Sequence, residues 1–128
     1  MVTVHLEADR VRFEVEGWDK LWALKSHIEI PLEHIVSARV DPEPARAWFH
    51  GLRIPGTDIP GVITAGTFYS RDGVVFYDVH DADKAIVIEL SHEHYKRLVV
   101  EVDHPDETVE RLESAVEAAQ LARMKESI

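Results

Sequence analysis

The sequence predicts a mainly β (α+β) domain: a barrel or roll of about seven antiparallel strands capped by one C-terminal α-helix. Three observations predict it. Apolar and polar residues alternate through several short stretches before residue 102, the pattern of half-buried strands. The connections between most stretches are short, which favours antiparallel neighbours. After Pro105 the period becomes helical, with Val109, Leu112, Val116 and Ala119 along one face. Strands in that number leave exposed edges, which closure into a barrel or a covering helix removes.

The first strands lie in residues 2–16. Val2, Val4 and Leu6 share one face; Val11, Phe13 and Val15 share another, opposite Arg12, Glu14 and Glu16. Glu7-Ala8-Asp9 between them reads as a hairpin turn, so pairing would give one apolar and one charged face. Residues 17–25, with Trp18, Leu21 and Trp22 near helical spacing, read as a short helical turn, with a further strand as the competing reading. Ser26 to Ile30 alternates again, and Pro31 ends it because it has no N–H for the ladder. Leu32-Glu33-His34 is a short turn, and Ile35 to Val40 a further strand.

Residues 41–60 form the one long irregular region, in which Pro42, Pro44, Pro55 and Pro60 remove donors and fix φ. Val62 to Tyr69 is a strand whose Gly66 points to a bulge or a close backbone approach. Arg71-Asp72-Gly73 turns the chain into Val74–Val79. His80 to Lys84 is a polar turn, and Ala85–Leu90 a nearly all-apolar strand. Ser91 to His94 turns again before a last strand, Tyr95–Val102. Pro105 suits the first helical position, with His104 as N-cap and Asp106 and Glu107 complementing the helix dipole. The acidic outer face, Glu110, Glu113 and Glu117, reads as solvated. The whole chain, residues 1–128, is expected to be a single domain, with strands over about 2–102 and the helix over about 105–124.

Composition excludes several functions. There is no cysteine, so disulfides and Cys-type zinc sites are absent, and the chain suits a reducing cytoplasm. The net charge of −10 is spread along the chain, which disfavours DNA, RNA and anionic lipid. No apolar run approaches the roughly 20 residues needed to span a bilayer, and the opening residues lack the pattern of a signal peptide.

Gly17-Trp18-Asp19-Lys20-Leu21, the run from Ile28 to Ile35, the segment from Gly51 to Phe68 and His104-Pro105 together resemble the bacterial pleckstrin-homology (PH) domain-like families, over residues 2–124. The resemblance implies a PH-like roll: two bent antiparallel sheets capped by a C-terminal helix. It also implies a noncatalytic module for binding or assembly, some members of which form oligomeric rings. Lipid-binding PH domains use a Lys/Arg pattern in the loop after the first barrel strand. The matching loop here offers only Lys20 and Lys25, beside Asp19, which argues against phosphoinositide binding.

The chemistry in the sequence is sparse. No serine lies in G-x-S-x-G, no P-loop or G-x-G-x-x-G is present, and no enzyme activity or cofactor is expected. Of eight histidines, His92 and His94 lie closest together, with Asp81 and Asp83 upstream. If those two turns were neighbours, the four residues would form an imidazole-carboxylate set suited to zinc and a metal-dependent enzyme. As turn residues they are also expected to be polar without a metal. Trp48 and Phe49, with Arg53 nearby in the Pro-rich loop, are either a wedge for a partner or a cover for one end of the domain. The expected function is interaction with an unidentified protein or with a second copy. A peripheral lipid or small-ligand module using Lys20 and Lys25 is the alternative, and the metal-dependent enzyme comes third.

Overall fold

The computed structural model describes residues 1–15, 27–44, 64–70 and 73–126. They hold eight strands and a long helix: β1 (Val2–Leu6), β2 (Arg10–Val15), β3 (His27–Pro31), β4 (Ile35–Val40), β5 (Thr64–Ser70), β6 (Gly73–Val79), β7 (Ala85–Leu90), β8 (Arg97–Glu101) and α1 (Pro105–Glu126).

The N-terminal sheet follows from its alternation. β1, β2 and β3 pair antiparallel, with Val4 opposite Phe13 and Phe13 opposite Ile28. Val2, Val11, Phe13, Val15, Ile28 and Ile30 are buried, while Glu14, His27 and Glu29 face outward. Ion pairs lace the outer face: His5 Nε2 lies 2.9 Å from Glu14 and Arg10 Nη1 3.6 Å from Glu29. Such exposed pairs contribute only ~0–1 kcal/mol each, so the buried apolar face carries the sheet.

The second sheet has the order β4-β7-β8-β6-β5. β7 is buried on both sides, as a continuous apolar run requires: Ala85, Ile86, Val87 and Ile88 are all inaccessible. Even-numbered Ile86, Ile88 and Leu90 join Leu98, Val100, Phe76 and the N-terminal sheet in the main core. Odd-numbered Ala85 and Val87 join Val75, Val79 and Val99 in a second cluster on the other side. On that second side Glu89 Oε1 accepts from Arg97 Nε at 2.7 Å and from Arg39 at 3.3 Å, which ties β4, β7 and β8 together.

Three expectations are corrected. Among the described residues the strands form two sheets with edges, not a closed barrel. The pairing is not wholly antiparallel, because β8 inserts between β6 and β7 and runs parallel to β6, with Asp78 opposite Val100. The connection from β6 to β7 therefore crosses the end of β8, a span of ~10 Å set by two strand spacings. Third, the β5–β6 register runs unbroken through Gly66, opposite Tyr77, so of the two readings of that glycine the bulge is excluded; the bulge lies in β4.

The crossing is held from below. His80 N and Asp81 N each donate to Glu101 Oε1 at 2.8 Å, and Glu101 is buried at the end of β8. Asp81 then caps a 3-10 turn over Ala82–Lys84, accepting from Asp83 N at 3.0 Å. The other buried carboxylate, Asp78 in β6, lies 3.3 Å from the Met1 amino nitrogen.

α1 begins where Pro105 fits the first helical position; Thr108 N donates to His104 O at 2.9 Å. Leu112 is fully buried, and Val109, Ala115, Val116 and Ala119 pack around it against the core. The helix lies along β4 and the 3-10 turn Leu32–His34, and reaches β1 and β7. It covers the open side of the core formed by the two sheets, the capping role expected of it. The described helices include none long and apolar enough to cross a membrane.

Candidate functional site

The sequence places its first candidate site in the irregular loop. Trp48, Phe49 and Arg53 lie outside the described residues, as do Lys20, Lys25 and the short helical turn expected over residues 17–25.

The four metal candidates are described, and the structure separates them. Asp81 and Asp83 precede β7, whereas His92 and His94 follow it. Successive turns lie at opposite ends of the strand they flank, and β7 has six residues, so the two groups stand roughly 20 Å apart. Among the described residues no three His, Asp or Glu side chains gather as a metal site.

The turn after β7 makes a different contact. His34 Nδ1 bonds Glu93 Oε2 at 2.5 Å, and the His34 and His92 rings lie 6.0 Å apart. Ser91 N donates to His34 O at 2.8 Å. These bonds pin the β7–β8 turn onto the 3-10 turn that joins the two sheets. His92 holds φ at 57°, a left-handed conformation unusual for a non-glycine residue.

Two concavities flank α1. The larger, of about 400 Å³, lies between the β1–β2 turn, the end of β3 and the C-terminal half of α1, with Pro31, Leu32, Ala119 and Ala122 as its apolar wall. Two arginines reach it, each already beside a carboxylate. Arg10 Nε donates to Asp9 at 3.2 Å, and Arg123 Nη1 to Glu33 at 3.2 Å. The hydrogen bond from Arg10, and secondarily its charge, hold the Asp9 carboxyl below the usual carboxylate range. An anionic ligand would have to compete with those carboxylates for both guanidinium groups.

The smaller concavity, about 240 Å³, runs between β4 and the opposite flank of α1. Its floor is Ile35, Ala38 and Val116, and its rim is Val36, Glu113 and Glu117. A bulge in β4 lies along it. The register steps from Ile35 opposite Leu90 to Ser37 opposite Glu89, so Val36 is the extra residue. A bulge re-aims the side chain it carries, and Val36 turns out of the core to become 63% exposed. Met124, 65% exposed, lies on the same helical stripe as Glu113, Glu117 and Gln120. Neither Glu113 nor Glu117 has an ion pair or hydrogen bond among the described residues. The groove thus combines exposed apolar surface with uncompensated negative charge, whereas the larger cleft has its charges already paired.

Sequence reasoning did not single out Val36. In Ile35-Val36-Ser37-Ala38 either valine or isoleucine can face inward, and only the register with β7 decides. Glu113 and Glu117 were legible as an outer face, but not as the wall of a groove.

No protein-family model, curated protein or solved structure matches this chain.

Proposed function

We propose that this chain is a noncatalytic module for protein–protein interaction or self-assembly, PH-like in laying one C-terminal helix over two sheets. The parallel β6–β8 pair is its departure from the antiparallel PH-like roll. The observation that supports an interaction role is the β4–α1 groove, where a bulge turns Val36 outward beside unpaired carboxylates. Fully covering a valine is worth ~1.5–3 kcal/mol, and the part of Val36 already buried lowers the gain to about 1–2 kcal/mol. That is enough to anchor a contact once neighbouring surface joins in. The absence of cysteine supports a reducing compartment, the cytoplasm, as the place of action.

Light scattering over a concentration series, run beside affinity capture with matched bait-free controls, tests this reading. A mass that rises with concentration, or a specifically retained protein, is the expected result. A monomer at every concentration that retains nothing above background would refute it.

A further inference from the structure

Resting on that interaction reading, we infer that the β4–α1 groove docks a cationic segment of a partner protein through one large apolar anchor side chain.

Size sets the first limit. An engineered apolar cavity of ~150 Å³ holds a benzene molecule, so a groove of about 240 Å³ takes one aromatic ring or branched aliphatic side chain. The apolar floor of Ile35, Ala38 and Val116 receives the anchor, and Val36 closes over its side.

Charge sets the second limit. Glu113 and Glu117 stand on the helical rim without intramolecular partners among the described residues. Arg39, the basic residue of β4, is engaged by Asp41 at 3.2 Å and by Glu89 at 3.3 Å, so it does not neutralise the groove. Lysines or arginines flanking the anchor would meet both carboxylates. A second copy of this chain carries the same net charge of −10 and is repelled from an acidic rim, which favours a basic partner over self-docking.

Backbone geometry sets the third. The bulge breaks the regular ladder of β4 and Arg39 stands on its outer side, two devices that blunt an edge against strand addition. The partner therefore binds through side chains rather than by extending the sheet.

The test is a titration of isotope-labelled full-length protein, followed by NMR, with a short synthetic peptide carrying a central leucine among lysines and arginines. Expected shifts centre on Val36, Ala38, Val116 and Glu117. They disappear when serine replaces the leucine or glutamates replace the basic residues, and binding weakens with added salt. Val36→Asp, and separately the pair Glu113→Gln and Glu117→Gln, each weaken binding about tenfold or more. All of these positions are exposed, so the variants keep the fold, and unchanged spectra away from the groove verify it. The proposal is overturned if shifts fall elsewhere, if both variants bind like the wild type, or if Val36→Asp abolishes self-association, which would assign the groove to a second copy. A peptide that fails to bind while light scattering still shows assembly refutes the groove and leaves the broader reading standing.

Discussion

Removing the Glu101 carboxylate should loosen the crossing between β6 and β7 and little else. Its Oε1 accepts from His80 N and Asp81 N, both at 2.8 Å, and the residue is only 6% exposed. A hydrogen bond to a charged group is worth ~1.5–3 kcal/mol net. Two bonds set an upper bound of ~3–6 kcal/mol, and water entering the space left by a truncated side chain at the sheet end would recover part of it. Glu101→Ala should therefore cost about 2–4 kcal/mol, a large share of the ~5–15 kcal/mol that stabilises a domain of this kind. Glu101→Gln keeps an acceptor oxygen and loses the charge, so its cost should be about 1–2 kcal/mol. Urea denaturation measures both. The midpoint of a thermal melt should fall roughly 4 °C per kcal/mol for a chain of this size. Amide exchange supplies the local readout, with His80 and Asp81 accelerating selectively. If Glu101→Ala is within 0.5 kcal/mol of wild type, or if Glu101→Gln is equally damaging, the carboxylate does not hold the crossing.

Leu112→Ala empties the one fully buried side chain contributed by α1 and should cost ~2–5 kcal/mol by urea denaturation; a cost below about 1 kcal/mol would mean that the helix is not anchored there. Asp9 should titrate below the usual carboxylate range because Arg10 hydrogen-bonds it. A depressed folded-state value means that its stabilising contribution is present above the unfolded titration and is lost as pH falls through the folded one. The effect on stability is small because both groups are exposed. NMR titration of the Asp9 carboxyl should show the low midpoint, and Arg10→Ala should return it to the ordinary range; an unmoved midpoint would show that Arg10 is not the cause.

Local pattern made much of the fold readable. Val11, Phe13 and Val15 alternate with charged residues and do form a one-sided sheet. Ala85–Leu90, nearly all apolar, does lie buried on both sides. Strand order was not readable, because it is settled between residues far apart in sequence. A short link such as His80–Lys84 favours adjacent antiparallel strands, and insertion of β8 overrides it. The parting of the four metal candidates follows from geometry already implicit in the strands: turns at the two ends of one six-residue strand lie too far apart to share a ligand set. The groove was hidden because it depends on a one-residue slip in β4, which no periodicity reveals.

The position of β8 also dictates the order in which the molecule can be assembled. Among the described pairings it is the sole link between the β5–β6 ribbon and the β4–β7 ribbon. As the chain leaves the ribosome, β1, β2 and β3 can pair once residue 31 has emerged. The larger sheet stays in two unjoined pieces until residue 101 is free to slot between them. Over that interval the nascent chain carries apolar faces from both sheets whose shared core still lacks Leu98 and Val100 of β8 and Leu112 of α1. Late arrival of the central strand thus makes the last quarter of the sequence the step that turns three ribbons into one core.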